Sequence, residues 1–207
     1  MESQTALRDW TVLLVGGNSG AGKTTVAQRL GQIYGVSVAQ VDDFRLVLQR
    51  VTSASEYPDL HFFLQPNVVS EYTPAELCQR LIRVGQIMSD ALEIVVAHHV
   101  VTRTPLILEG DGIVPALAAQ RVFDNCRVHN DVRAIFLIEA DQEQLLRNQR
   151  RPGRGDDIDQ DESERWVALS SLYGQWMVQE AQKHTLPAIS AQPWATVIER
   201  MQHILAS

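Results

Sequence analysis

The sequence predicts an α/β fold in which a mostly parallel sheet carries helices on both faces. Three observations support this: apolar strand-like runs alternate with helical periodicity, a glycine-rich loop joins the first strand to the first helix, and acidic residues follow two of the strands. The length of 207 residues suits one domain with an apolar core, and the sequence contains neither an internal repeat nor a linker. We therefore predict a single domain over residues 1–207.

The first strand and the first helix enclose a glycine-rich motif. Residues 11–15 are aliphatic or β-branched, as in a buried strand, and residues 25–34 carry apolar side chains at helical spacing before Gly35, a typical C-terminal cap. Between them, residues 17–24 read Gly-Asn-Ser-Gly-Ala-Gly-Lys-Thr. This matches the phosphate-binding P-loop, or Walker A motif, which requires this order of strand, loop and helix.

The residue types of the P-loop suit the binding of a nucleoside triphosphate. Several backbone N–H groups must point into one concavity, which needs dihedral angles that glycine adopts easily, and the helix adds the positive end of its dipole. Lys23 is expected to reach the β- and γ-phosphates, and the Thr24 hydroxyl is expected to bind Mg²⁺. The predicted nucleotide-binding residues of the loop are Gly17, Asn18, Ser19, Gly20, Ala21, Gly22, Lys23, Thr24 and Thr25.

The rest of the chain continues the alternation of strands and helices. Further strands are predicted at residues 36–41, 106–109, 132–138 and 186–189. Helices are predicted at residues 44–51, 74–102, 114–126, 142–150, 162–183 and 194–205. The helix after Thr73 has the strongest start signal, because a Thr cap is followed by Pro74 and, three residues on, by Glu76. Residues 52–72 contain two prolines and little periodicity, which predicts a long loop that could include a helical turn.

Acidic residues follow the second and third strands, at the edge where open α/β sheets bind ligands. Asp42 and Asp43 could each activate an acceptor hydroxyl or cap the following helix, and we favour Asp42 as the base and Asp43 as the cap. Glu109 ends an apolar strand in the manner of a Walker B acid, so we assign it to Mg²⁺. Asp111 is the alternative magnesium ligand, since either carboxylate could face the phosphates.

Four arginines lie within eight residues of this acidic chain: Arg147, Arg150, Arg151 and Arg154. Guanidinium groups match phosphate oxygens, and a proline and two glycines break the helical pattern there, which predicts a short arginine-rich lid at about residues 147–160. Arg150 and Arg154 are the leading catalytic candidates, with Arg147 and Arg151 as nucleotide ligands. The alternative is an exposed helix end followed by a run of acidic residues.

Composition narrows the classes of partner. The formal net charge of −7 argues against general affinity for nucleic acid or anionic membranes. The sequence has no apolar run of membrane-spanning length and no signal-peptide pattern at its start. Cys78 and Cys126 lie on predicted helices without metal-like spacing, as expected for reduced thiols. We therefore expect a cytoplasmic protein with a small-molecule partner, acting as a monomer or a homodimer.

Taken together, these motifs resemble the nucleoside monophosphate kinase-like group of P-loop kinases over most of the chain. Residues 16–27 (GGNSGAGKTTVA) and 108–115 (LEGDGIVP) are similar to segments of 2-phosphoglycerate kinase-like proteins. Residues 41–44 (VDDF) resemble a segment of uridine kinases and of the chloramphenicol phosphotransferase and zeta-toxin group. The resemblance implies a five-stranded parallel sheet, ATP and Mg²⁺ as cofactors, and an acidic residue after the second strand as the base.

The function predicted from the sequence is ATP-dependent phosphoryl transfer to a hydroxyl of a small metabolite, with a sugar acid or another small polar acceptor favoured. The acceptor is expected to bind at about residues 43–100, where Arg45, Arg50, Arg80 and Arg83 could reach it or remain surface charges. Trp194 and the preceding proline could border an adenine. The rival functions are a nucleoside or nucleotide kinase, a P-loop switch or assembly ATPase, and a nucleotide-binding module without turnover.

Overall fold

The computed structural model describes residues 8–150 and 159–206, and a five-stranded sheet forms the centre of this part of the chain. The strands are β1 Val12–Gly17, β2 Ser37–Gln40, β3 Leu106–Glu109, β4 Val122–Phe123, β5 Cys126–Arg127, β6 Val132–Ile138 and β7 Ala188–Ser190. The sheet has the order β2-β3-β1-β6-β7, and its described pairings are parallel. The predicted α/β fold is confirmed.

Helices cover both faces of this sheet. Those in the described residues are α1 Lys23–Tyr34, α2 Val41–Val51, α3 Pro58–His61, α4 Val68–Glu71, α5 Pro74–Thr102, α6 Pro115–Ala118, α7 Gln142–Gln149, α8 Gln160–Lys183 and α9 Val197–Leu205. Short 3₁₀ turns occupy Phe62–Leu64 and Trp194–Thr196. None of the described helices has both the length and the apolar character that a membrane span requires.

Two apolar cores lie on opposite faces of the sheet, and β1 contributes to both. Val12 and Leu14 pack with side chains of α5 and α8, whereas Leu13 and Val15 pack with side chains of α1 and α9. Successive side chains of a strand point to opposite faces, so a strand buried on both faces reads as a continuous apolar run. Burial on both faces of the sheet therefore explains why residues 12–15 form a continuous apolar run.

The predicted cap of the helix after Thr73 is present, and Asp141 caps α7. Thr73 and Glu76 form a capping box, in which the Thr73 hydroxyl accepts from the Glu76 N–H at 3.3 Å and the Glu76 carboxylate accepts from the Thr73 N–H at 2.9 Å. Asp141 accepts from two backbone N–H groups in the first turn of α7. Both side chains satisfy N–H groups that a helix leaves without partners at its start.

The predicted helix at residues 114–126 is wrong. One helical turn, α6, is followed by the antiparallel hairpin β4–β5, so Cys126 lies on a strand. Asp124 and Asn125 form the turn with φ of 40° and 64°, a left-handed conformation that these two residue types tolerate well. Residues 52–72 contain more helical structure than the one turn that the sequence allowed, because α3, α4 and a 3₁₀ turn lie within them.

Two further differences affect the candidate site. Helix α2 begins at Val41, immediately after β2, so Asp42 and Asp43 lie in its first turn and not before a helix starting at residue 44. The predicted cap role of Asp43 is wrong, because the cap position belongs to Gln40, whose side chain makes no capping hydrogen bond. Of the predicted lid, Arg151 and Arg154 lie outside the described residues.

Candidate active site at the carboxyl edge of the sheet

The loop between β1 and α1 has a backbone shape that requires glycine. Gly17, Gly20 and Gly22 have φ of 142°, 82° and 88°, all in the range that residues with a Cβ rarely adopt. A Cβ on Gly17 would lie 1.9 Å from the carbonyl oxygen of Leu137 on β6. The loop therefore lies tightly against the end of the sheet, directly before the first turn of α1.

Asn18 fixes the loop to two other elements. Its side chain is fully buried, and its Nδ2 donates to the Glu139 carbonyl at 3.0 Å and to the Ser170 carbonyl and hydroxyl at 3.2 and 3.1 Å. Its Oδ1 accepts from the Glu139 N–H at 3.0 Å. Helix α8 can approach the loop this closely because residue 174 is a glycine: a Cβ there would lie only 3.1 Å from the Asn18 side chain. Hydrogen bonds thus hold the loop to the end of β6 and to α8.

Lys23, Thr24 and Glu109 meet at the start of α1. The Lys23 Nζ donates to the Asn18 carbonyl at 3.0 Å, and the Thr24 Oγ1 donates to the Glu109 Oε1 at 2.8 Å. Burial raises the pKa of the Glu109 carboxyl, while the hydrogen bond from Thr24 and the charge of Lys23 oppose the increase. A hydroxyl and a carboxylate oxygen at this distance fit the oxygen ligands that Mg²⁺ prefers.

A cavity of about 590 Å³, which we call the loop cavity, opens over these residues. Its lining includes residues 19–25 of the P-loop, Asp42, Glu109, Asp111, Glu139 and Trp194. A second cavity of about 470 Å³, here the aromatic cavity, adjoins it and is lined by Phe63, Trp166 and Tyr173 among others. Ser19, Gly20, Asp42 and Asp111 line both cavities, so the two spaces meet at these four residues.

Asp42 and Asp43 have different positions although they are neighbours in α2. The Asp42 carboxylate faces the junction of the two cavities and lies 3.0 Å from a guanidinium nitrogen of Arg45. Burial raises the pKa of Asp42, the charge of Asp111 raises it further, and the charges of Arg45 and Lys23 oppose this. Asp43 is exposed and lies outside both cavities. The geometry therefore distinguishes two residues that the sequence left as alternatives.

Comparisons with known proteins agree with this architecture. No protein-family model matches the sequence, and a comparison with curated proteins finds no match. Among solved structures, a candidate kinase from Chloroflexus aurantiacus superposes with a TM-score of 0.52 at 14% identity, covering 97% of this chain and 98% of that one. Shikimate kinase from Acinetobacter baumannii, in complex with shikimate, gives a TM-score of 0.50 at 16% identity, with coverages of 96% and 92%.

The fold is that of a P-loop kinase. Both comparison structures cover almost the whole chain, and the strand, loop and helix of residues 12–34 supply the phosphate-binding element from which such folds take their name. At these identities the likeness establishes the fold and leaves the reaction to be argued from the site.

Unlike the acidic residues of the site, the two described arginines of the predicted lid lie outside both cavities. Arg147 lies against its own helix, 3.0 Å from Gln144 and 3.5 Å from Glu143. Arg150 is exposed at the end of α7 and lies outside both cavities. The structure therefore brings Asp42, Glu109 and Asp111 to the P-loop, whereas Arg147 and Arg150 remain at its periphery.

Glu139 lines the loop cavity, although the sequence did not lead us to predict it as a site residue. It follows β6 and is only 3% exposed, and its carboxylate accepts from the Asp141 N–H at 3.0 Å and from the Gln192 side chain at 2.8 Å. The Gln192 bond ties it to the segment that carries Trp194, whose ring lies 2.5 Å from where a Cβ on Gly22 would be. The signal was available, because Glu139 follows an apolar strand just as Glu109 does.

Proposed function

We propose that the protein is an ATP-dependent phosphotransferase that moves the γ-phosphoryl group to a hydroxyl of a small molecule. The observation that carries the proposal is the position of Asp42, a partly buried carboxylate at the junction of the loop cavity and the aromatic cavity. A P-loop switch or assembly ATPase has no need of a second cavity joined to the phosphate site by a carboxylate. The kinase fold also supports a transferase.

The loop cavity is the proposed site of the nucleotide. Lys23 and the N–H groups of the P-loop would hold the phosphates, and the half-exposed ring of Trp194 would lie against the adenine. Thr24 and Glu109 would hold Mg²⁺, with Asp111 as the alternative carboxylate. These few donors would be enough, because Mg²⁺ is usually bound by one or two carboxylates together with phosphate oxygens.

Asp42 is the proposed base of the transfer. The acceptor hydroxyl donates its hydrogen bond to Asp42, and its oxygen attacks the γ-phosphorus as the bond to the β–γ bridging oxygen breaks. The proton passes to the Asp42 carboxylate and ADP leaves. Burial and the charge of Asp111 raise the pKa of Asp42, which makes it a stronger base than an exposed aspartate. Bound Mg²⁺ would neutralise charge on the β- and γ-phosphates.

We further propose that an arginine lid places Arg150 and Arg154 over the phosphates and that Arg147 and Arg151 contact the nucleotide. We also propose a relationship to 2-phosphoglycerate kinase-like and chloramphenicol phosphotransferase-like proteins. The single domain over residues 1–207, the cytoplasmic location and the monomeric or homodimeric state are further proposals.

The pair Asp42→Asn and Asp43→Asn tests the proposed function with a matched control. Each variant is incubated with γ-labelled ATP, Mg²⁺ and pooled hydroxylated acceptors. Loss of the base should reduce label transfer about 10²- to 10⁴-fold in Asp42→Asn, with ATP affinity retained. Asp43→Asn should transfer label at the wild-type rate because its side chain lies outside both cavities. ATP hydrolysis without an accepting compound, at equal rates in both variants, would favour the switch or ATPase.

A further inference from the structure

The aromatic cavity has a wall suited to a flat apolar ring. Phe63, from a 3₁₀ turn, and Trp166, from α8, stack with their ring centroids 6.2 Å apart at an interplanar angle of 29°. The aliphatic side chains of Leu81, Val167 and Leu169 line the same space. Rings bound beside such a surface gain both apolar burial and stacking.

The charges facing this cavity disfavour an anion. Arg45 is the only cationic side chain among the described residues that line it, and its guanidinium already lies 3.0 Å from Asp42. Asp111 contributes a second carboxylate to the same lining. Among the described residues, an anionic acceptor would therefore face two carboxylates and one guanidinium that is already paired, and close like charges repel.

Of the other arginines that the sequence offered for the acceptor, Arg50 is exposed and lies outside both cavities, whereas Arg80 and Arg83 have partners elsewhere. Arg80 lies 2.6 Å and Arg83 lies 3.8 Å from the carboxylate of Asp59, and both lie outside the aromatic cavity. The guanidinium of Arg80 also lies over the ring of Phe62, with 4.8 Å to the ring centroid. These two arginines thus stabilise the packing of α3 on α5.

We propose that the phosphoryl acceptor is an uncharged alcohol that carries a flat apolar ring, a class that includes nucleosides and aryl alcohols. The ring lies against Phe63 and Trp166, and the hydroxyl reaches Asp42 at the junction with the loop cavity. This inference rests on the proposed function and uses the same transfer step. It replaces the sugar acid that the sequence favoured, because a sugar acid offers neither a flat ring nor a neutral charge.

The test uses two pairs of probes and the full-length protein. Thymidine is compared with thymidine 3′-monophosphate, which keeps the same 5′-hydroxyl and adds negative charge, and 2-phenylethanol is compared with gluconate. Calorimetry measures binding without nucleotide, and γ-labelled ATP measures transfer. We expect the uncharged member of each pair to bind and accept label at least about tenfold better than its anionic counterpart.

Two tryptophans of α8 provide a matched pair of variants. Trp166→Leu should weaken binding of the uncharged probes about tenfold, the size expected for losing one stacked ring, without changing ATP affinity. Trp176→Leu removes a ring of the same helix that does not line the cavity, although it stacks on Tyr173, which does. It should weaken binding of the probes much less than Trp166→Leu does. Thermal unfolding of both variants checks that the fold is intact.

The outcomes separate this inference from the proposed function. Transfer to gluconate or thymidine 3′-monophosphate that equals or exceeds transfer to the uncharged probes would overturn the acceptor class and leave the kinase in place. Failure of both uncharged probes to bind at millimolar concentration would also overturn the class. Tight, Trp166-dependent binding of an uncharged probe without ATP-dependent transfer to any probe would support the class and contradict the phosphotransferase.

Discussion

The P-loop and helix α2 form two sides of the same site, and they are held in very different ways. On the loop side, the buried side chain of Asn18 makes hydrogen bonds to residues 121 and 152 positions away in the sequence. On the other side, Val41 is the only buried residue of the eleven described in α2, and Leu46, Val47 and Val51 are 59%, 61% and 71% exposed. The comparison separates a fixed loop side, which we propose binds phosphate, from a loosely packed α2 beside the proposed acceptor cavity (the acceptor side).

This difference suits the two tasks proposed for the site. The phosphate groups of ATP do not vary, so a loop locked by buried hydrogen bonds can be complementary to them before they bind. The acceptor must enter and leave beside Asp42, which requires a segment that opens at low cost in free energy. Local opening is easiest where few apolar side chains are buried, as in α2. Substitutions on the two sides of the site test this contrast.

Replacement of Lys23 should affect the fixed side alone. Lys23→Met keeps an apolar stem in the buried position and removes the ammonium group, so phosphoryl transfer should fall about 10²- to 10³-fold and ATP affinity should decrease. The KM for the acceptor should change little because Lys23 lies outside the aromatic cavity. Steady-state kinetics with ATP and acceptor varied in turn measures both. An acceptor KM that rises as much as the KM for ATP would contradict the separation of the two sides.

The hydrogen bonds of Asn18 should make a large contribution to stability. Asn18→Ala leaves the buried N–H of Glu139 without its partner, and we expect the free energy of unfolding to fall by about 2–4 kcal/mol. Asn148→Ala removes a bond to the Gly20 carbonyl, made at 2.8 Å by a partly buried side chain, and a bond from the Gln144 side chain of the same helix, made at 2.9 Å; it should cost about 1 kcal/mol. Chemical denaturation measures both values. Equal losses would mean that Asn18 does not anchor the loop to β6 and α8.

The pH dependence should report the charges where the two sides meet. Because Asp42 must be deprotonated to act as a base and its pKa is raised, kcat/KM should fall as the pH decreases through a value above the ordinary range of aspartate. Asp111→Asn removes a charge that raises this pKa, so the acid limb should move to lower pH. A limb that stays in place in Asp111→Asn would show that Asp42 does not control it.

The smallest expected effect lies on the acceptor side. Gln49 of α2 donates to the Leu60 carbonyl at 2.8 Å, a bond that joins α2 to α3. Gln49→Ala should lower the free energy of unfolding by about 1 kcal/mol or less, but it should increase amide hydrogen exchange in residues 41–64 more than in the P-loop. Gln160→Ala, which removes an exposed contact in α8, is the control. Exchange that increases equally in both regions would remove the proposed contrast.

The loop side could be predicted from the sequence because its signals are local. Eight consecutive residues define the P-loop, and one apolar strand places Glu109 at the edge of the sheet. Parallel strands bring their carboxyl ends together, so an acid at the end of a strand can be assigned to the site without knowledge of side-chain packing. The same rule would have found Glu139, which lies after β6.

The acceptor side could not be predicted in this way. Phe63 and Trp166 are far apart in the sequence and meet only because the segment after α2 packs on α8. Helices as short as α3 and α4 contain four residues each, too few to show a 3.6-residue period. The hairpin β4–β5 was missed for a different reason: its Asp124–Asn125 turn is a local signal, but the apolar residues on either side also fit a helix.

Helix α8 carries residues that serve both sides of the site, and their spacing has a consequence for how the chain can diverge. Trp166, Ser170, Tyr173 and Gly174 lie on one face of the helix. Trp166 stacks on the ring of Phe63, and the Ser170 hydroxyl accepts from Asn18 and donates to the Ser19 carbonyl. The Tyr173 hydroxyl donates to the Asp111 carbonyl, and Gly174 lies against Asn18. One inserted or deleted residue would rotate the remainder of this face by about 100°. Descendants of this chain can therefore exchange Trp166 for another side chain, but a change in length between residues 166 and 174 would alter the position of Trp166 and Phe63 relative to the P-loop.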